Sequence, residues 1–64
     1  MLLVDLLKVM PDSQKVKVVF IEDDEIMELR ETASYMLLMF PDLMKREILT
    51  AYTGTIPDTI NICI

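Results

Sequence analysis

Hydrophobic and polar residues alternate along residues 15–30, KVKVVFIEDDEIMELR. A period of two predicts β-strands, and the run of acids at residues 22–25 separates two such strands. We therefore predict a hairpin in which Ile21 pairs with Ile26. In that register one face of the hairpin carries Val16, Val18, Phe20, Met27 and Leu29. The tip contains no glycine, so we expect a four-residue loop built on a type I turn.

Two apolar segments flank the hairpin and are predicted to be short helices that cover one face of its sheet. Between residues 2 and 10 the leucines recur at the i, i+3, i+4 spacing of a helical face, and Pro11 ends the helix. The second helix covers residues 33–40, after Thr32 as a helix N-cap. It is apolar on nearly every side, so part of it is expected to lie in an interface.

The rest of the chain predicts two more strands. Residues 46–53 and residues 59–64 alternate again, with the loop that starts at Gly54 between them. The predicted order of elements is α-β-β-α-β-β. The sequence thus indicates a single α+β domain over residues 1–64, with a small antiparallel sheet covered on one face by two short helices.

Size and composition predict self-association. A chain of 64 residues with 53% hydrophobic residues has more apolar surface than so small a core readily hides. Cys63 is the only cysteine and histidine is absent, which excludes an intrachain disulfide and a Cys/His zinc site. Association with another chain is the stabilising device that is left, so we expect a homo-oligomer.

The net charge of −5, from eleven acids and six bases, disfavours direct nucleic-acid binding and favours a basic protein partner. No apolar run approaches the roughly 20 residues of a membrane span, and residues 1–10 lack the basic start of a signal peptide. We therefore expect a cytoplasmic protein with no membrane association.

The sequence contains no recognisable catalytic chemistry. The acids at residues 22–25 lie on a predicted flexible tip, which lacks the contrasting environments that acid–base catalysis by two carboxyl groups needs, and they lack the spacing of a calcium loop. Cys63 has no histidine to activate it, and Gly54, the only glycine, cannot form a phosphate-binding loop. We predict no enzymatic activity, no cofactor and no metal site.

Two sets of residues are candidates for binding a partner. The acidic tip consists of Glu22, Asp23, Asp24 and Glu25, and it would contact basic groups. The second set is a dimer or partner surface on the second helix: Tyr35, Met36, Met39 and Phe40. Methionine adapts to varied partners, and aromatic residues are enriched at interfaces. A solvated hairpin tip and ordinary core packing are the alternatives. Reversing both tip aspartates to lysine is expected to abolish binding and leave the fold intact.

Four short motifs resemble very short phage- and prophage-encoded α+β accessory proteins of Gram-positive bacteria. They are the amphipathic helix of residues 2–10, Pro11-Asp12 followed by Val16-Lys17-Val18, Arg46-Glu47-Ile48 leading to Tyr52, and Ile60-Asn61-Ile62. The resemblance implies a mobile-element origin and a bacterial host cytoplasm. It supplies no catalytic or ligand residues.

These observations lead to three functional hypotheses. The first is a phage-type accessory protein that binds a host protein, as an inhibitor of a host defence system such as CRISPR, with the acidic tip in place of phosphates. The second is a structural or assembly protein that binds only itself. The third is an oligomer that sequesters a nucleotide, with Lys15, Lys17 and Arg30 meeting across a dimer axis.

Overall fold

The computed structural model describes all 64 residues, and it confirms the predicted α+β class with two short helices and one four-stranded sheet. The elements are α1 Leu3–Lys8, β1 Lys15–Glu22, β2 Glu25–Thr32, α2 Ala33–Met39, a 3₁₀ turn Pro41–Leu43, β3 Thr50–Thr53 and β4 Thr59–Cys63. Apart from the 3₁₀ turn, their order is the predicted one. No helix is both long enough and apolar enough to cross a membrane.

The hairpin of β1 and β2 has the predicted register. Ile21 pairs with Ile26, and Val18 pairs with Leu29. The alternation of β1 buries Val16, Val18 and Phe20 against the helices. We call this helix-covered side of the sheet the inner face and the opposite side the open face.

The tip of the hairpin differs from the prediction. Glu22 pairs with Glu25, which leaves only Asp23 and Asp24 in the turn. Their φ angles of 51° and 64° are left-handed, as in a two-residue type I′ turn, so the predicted four-residue loop is wrong. Aspartate tolerates this conformation because its short side chain forms local hydrogen bonds, so glycine is not required.

The sheet is mixed, whereas an antiparallel sheet was predicted. Its strand order is β2-β1-β4-β3, and β4 runs parallel to β1 and antiparallel to β3. Val18 lies beside Ile62 across the parallel pair, and both side chains are fully buried. A short alternating strand fits either direction equally well, so its own pattern does not determine its neighbours.

The third strand begins at Thr50 and not at residue 46 as predicted. The residues before it pair with the start of the chain: Leu3 N donates to Arg46 O at 2.9 Å, and Ile48 N donates to Met1 O at 2.8 Å. The Met1 ammonium also lies 3.0 Å from the Glu47 carboxylate. These backbone groups are therefore satisfied outside the sheet.

The two helices complete the core from the inner face. Thr32 caps α2 as predicted, because its Oγ1 accepts a hydrogen bond from Tyr35 N at 3.3 Å. The core residues are Leu3, Leu7, Val16, Val18, Phe20, Ala33, Met36, Leu43, Met44 and Ile62. The core thus lies between β1 and β4 on one side and the helices and the 3₁₀ turn on the other.

Candidate functional site: an apolar groove with an acidic rim

A groove of about 380 Å³ lies between the hairpin and the segment where α2 ends and the 3₁₀ turn begins. We call it the tip groove. Its apolar lining comes from two sides: Phe20, Met27 and Leu29 of the hairpin, and Met39, Phe40, Pro41 and Leu43 of the helical segment. Its charged lining residues are Glu22, Asp42 and Arg46. It is therefore an apolar surface with charges around it.

Two methionines on opposite sides of the tip groove are open to solvent. Met27 of β2 is 38% exposed, and Met39 at the end of α2 is 51% exposed. Phe20, between them, is buried at 5% exposure. Unbranched methionine side chains repack readily against different surfaces. Met27 and Met39 can therefore adjust to an incoming apolar side chain, whereas the buried Phe20 is held in place by the core.

The chain turns sharply at Phe40, which shapes the helical side of the groove. Phe40 leaves helical geometry, with φ −128° and ψ 60°, because Pro41 disfavours the helical region for the residue before it. Its ring packs edge to face against Tyr35, with the ring centroids 6.5 Å apart. Tyr35 itself does not line the groove, and it reaches the groove only through this contact with Phe40.

The predicted helix surface contains one residue that a partner cannot reach. Met36 is 0% exposed in the isolated chain, so it belongs to the core and not to the predicted partner surface. Three residues along a helix correspond to an offset of about 60° around its axis, which takes Met39 from the core to its margin. Met39 and Phe40 line the groove, and Tyr35 is 42% exposed beside it.

Acidic charge dominates the rim. The four tip residues Glu22–Glu25 are all exposed, and none of them forms a salt bridge. Glu22 and Asp42 extend the acidic surface onto the groove. No group of three or more Asp, Glu, Cys or His side chains is arranged to hold a metal ion. The rim therefore presents unpaired carboxylates to a positively charged partner.

Arg46 is the one cation at the groove. Its guanidinium carbon lies 5.3 Å from the centroid of the Phe20 ring, in cation–π geometry. Arg46 Nη1 also lies 3.5 Å from the carbonyl oxygen of Ile21, at the limit of a hydrogen bond. Arg46 is thus held against the hairpin, and its guanidinium lies over the Phe20 ring.

Seven residues that line the groove were not predicted as site residues: Phe20, Met27, Leu29, Pro41, Asp42, Leu43 and Arg46. The available signal was Pro41-Asp42 directly after an apolar helix, because proline ends the helix and turns the chain towards the hairpin. The structure brings Glu22 of the predicted acidic tip together with Met39 and Phe40 of the predicted helix surface. The other predicted residues, Asp23, Asp24, Glu25, Tyr35 and Met36, do not line the groove.

The three cations of the nucleotide hypothesis lie on the open face, away from the groove. Lys17 Nζ lies 3.3 Å from Glu28 Oε1, and Arg30 Nε donates to Glu28 Oε2 at 2.9 Å. Lys15 and Arg30 do line one pocket of about 300 Å³, but Glu31 lines it as well. Two of the three cations are already paired with a carboxylate, which weakens this hypothesis.

Comparison with protein-family models, with curated proteins and with solved structures gives no match. The function is therefore inferred from the groove itself.

Proposed function

We propose that this chain acts by binding an apolar, basic segment of a partner protein in the tip groove. The observation that carries the proposal is the joining of exposed apolar side chains, Met27 and Met39, to unpaired carboxylates in one continuous surface. Desolvation of the methionines would supply affinity, and the acidic rim would attract and orient a basic partner.

The biological setting that we propose is a phage-type accessory protein that inhibits a host defence system. Defence complexes guided by RNA hold nucleic acid in positively charged channels. A compact acidic tip with an adjoining apolar groove is suited to occupy such a channel in place of phosphates. The short motifs that resemble phage and prophage proteins support the same setting, and action by binding requires no catalytic group.

Replacing Met39 with glutamate should reduce capture of the partner from a bacterial host lysate by roughly tenfold or more. This is the size of effect expected at an interface hot spot, where truncation or charge costs about 2 kcal/mol. Leu38→Glu is the matched control, since Leu38 lies on the same helix, is 76% exposed and does not line the groove. Quantitative mass spectrometry of the captured proteins measures both variants.

Both variants should retain the far-ultraviolet circular dichroism of the native chain, because both positions are exposed. A partner captured equally well by the native chain and by Met39→Glu would contradict docking in the tip groove. A partner lost only with Leu38→Glu would place the interface on the outer side of α2.

Replacing both Asp23 and Asp24 with asparagine should weaken binding of the purified partner by roughly 3- to 10-fold at low salt. Exposed charge pairs contribute about 0.2–1 kcal/mol each and are screened by salt, so the difference should shrink as ionic strength rises. Asparagine is chosen because it also tolerates a positive φ. Lysine at these two left-handed positions would strain the turn, which confounds the charge reversal that the sequence suggests.

Asp58→Asn is the matched control for the charge change. Asp58 is also exposed and also has a positive φ, of 61°, but it lies beside Thr59 at the opposite end of the sheet. Asp58→Asn should leave the affinity for the purified partner nearly unchanged. Asp58→Asn removes one negative charge where the double variant removes two, so a loss about half as large in free energy would mean that net charge, and not the acidic tip, drives association.

A further inference from the structure

Strand β2 forms one edge of the sheet, and its outer side is unpaired. It is eight residues long, Glu25–Thr32, with no proline, glycine or bulge that would protect it. The other edge, β3, has only four residues. A long regular edge strand presents free backbone N–H and C=O groups that can pair with another strand.

The backbone groups that point outwards follow from the hairpin ladder. Just beyond the strand, Ala33 N donates to Gln14 O at 2.8 Å, across the same register that pairs β1 with β2. Along an antiparallel strand, the backbone groups of successive residues point alternately to the strand on one side and to the strand or solvent on the other. Glu31, Leu29 and Met27 therefore bond to β1. The outward groups belong to Ile26, Glu28, Arg30 and Thr32.

We propose that two copies of this chain pair through β2, antiparallel, about a twofold axis that passes through Leu29. An axis perpendicular to the sheet keeps the helices of both copies on the same face and extends the sheet to eight strands. The outward-pointing N–H and C=O groups of one copy face those of the other only when the axis passes through a residue and not between two residues. Among such axes, those at Glu28 and at Leu29 pair the largest number of β2 residues.

Charge distinguishes these two registers. An axis at Glu28 places Glu28 opposite Glu28 of the second copy, and Glu25 opposite Glu31. Like charges directly across a ladder are destabilising. An axis at Leu29 places Glu28 opposite Arg30 of the second copy, and by symmetry this favourable pair occurs twice. On the inner face the same axis brings the two Leu29 side chains together.

The charged side chains are already arranged for this pairing on the open face. Glu28 accepts from Arg30 Nε at 2.9 Å and lies 3.3 Å from Lys17 Nζ within one copy. The hydrogen bond from Lys17 and the charge of Arg30 hold the pKa of Glu28 below its usual 4.5, so the carboxylate is ionised at neutral pH. In the pair, two carboxylates would lie among four cations, all on one face.

The pairing places both tip grooves on the same face of the joined sheet. Met27 and its counterpart would lie about 14 Å apart along the strands, since four residues separate them and each spans about 3.4 Å. The pair would thus offer two grooves near its axis to one extended partner. The pairing itself does not depend on the proposed function and is tested without any partner.

Arg30→Glu should raise the dimer dissociation constant at least tenfold in analytical ultracentrifugation, because it places carboxylates opposite one another on both sides of the axis. The double variant Glu28→Arg with Arg30→Glu restores opposite charges, and it should return the constant to within about threefold of the native value. Lys17 still has a carboxylate beside it in the double variant, because residue 30 is its direct cross-strand neighbour. Lys45→Glu, an equal charge change at an exposed position outside the sheet, should have little effect.

Amide hydrogen exchange followed by NMR tests independently whether the outer side of β2 is the interface. The amides of Ile26, Glu28 and Arg30 should exchange quickly in dilute protein and slowly at high concentration, while those of Met27 and Leu29 stay protected throughout. A chain that is monomeric at millimolar concentration would overturn the proposal. So would a dimer that Arg30→Glu leaves intact, or one whose β2 amides lack this alternation.

Discussion

Met36→Ala is expected to lower the free energy of unfolding by about 2–5 kcal/mol, whereas Met39→Ala should change it by less than about 1 kcal/mol. The two methionines lie on the same helix, but Met36 is 0% exposed and Met39 is 51% exposed. Truncation of Met36 leaves a cavity in a close-packed core, and truncation of Met39 removes atoms that already contact water.

Denaturation in urea, followed by circular dichroism, measures both values. A domain of this size has little stability to lose: if the native chain lies near the lower end of the usual 5–15 kcal/mol, Met36→Ala retains only about 0–3 kcal/mol, and at zero half of the protein is unfolded without denaturant. Met36→Leu conserves volume and should cost less than about 1.5 kcal/mol, which keeps the comparison measurable. Equal effects at Met36 and Met39 would contradict the enclosure of Met36.

Ile62→Ala is the second large effect, with an expected loss of about 2–5 kcal/mol. Ile62 lies in β4 between β1 and β3, is fully buried, and has Val18 and Ala51 as its cross-strand neighbours. Ile26→Ala, the same substitution at a 77% exposed position of the sheet, should stay within about 0.5 kcal/mol.

Thermal and chemical unfolding of dilute protein measure this pair, at concentrations where self-association does not add stability. A small effect at Ile62 would mean that β4 lies at an edge and not in the centre of the sheet. A large effect at Ile26 would mean that its open face is covered in the isolated chain.

The hairpin shows which structural features the alternation of hydrophobic and polar residues can predict. A period of two places Val18 and Phe20 on a buried face, and continuing the pattern past the acids sets the pairing of Ile21 with Ile26. The turn between the strands was predicted wrongly. The absence of glycine argues against a two-residue turn, but aspartate tolerates left-handed geometry at a small energetic cost.

The sequence predicts the acidic tip and the helix surface as two separate candidates, and only the folded structure shows that residues of both line one groove. The acids of the tip and the apolar residues that end α2 both stand out in the sequence, yet nothing local indicates that Glu22 and Met39 line the same groove. Met36 was grouped with Met39 because a helix that is apolar on nearly every side does not reveal which side faces the core. That choice depends on where the sheet lies.

The local elements of this protein can be predicted from its amino-acid pattern: the hairpin register, the Thr32 cap, and the helix ends near Pro11 and Pro41. These follow from side-chain period and backbone preference, which act over a few residues. Three features become visible only in the folded chain: β4 lies parallel beside β1, Met36 is enclosed, and the hairpin and the end of α2 form a groove. Those outcomes depend on contacts between residues far apart in the chain, and short alternating segments satisfy several such arrangements until packing selects one.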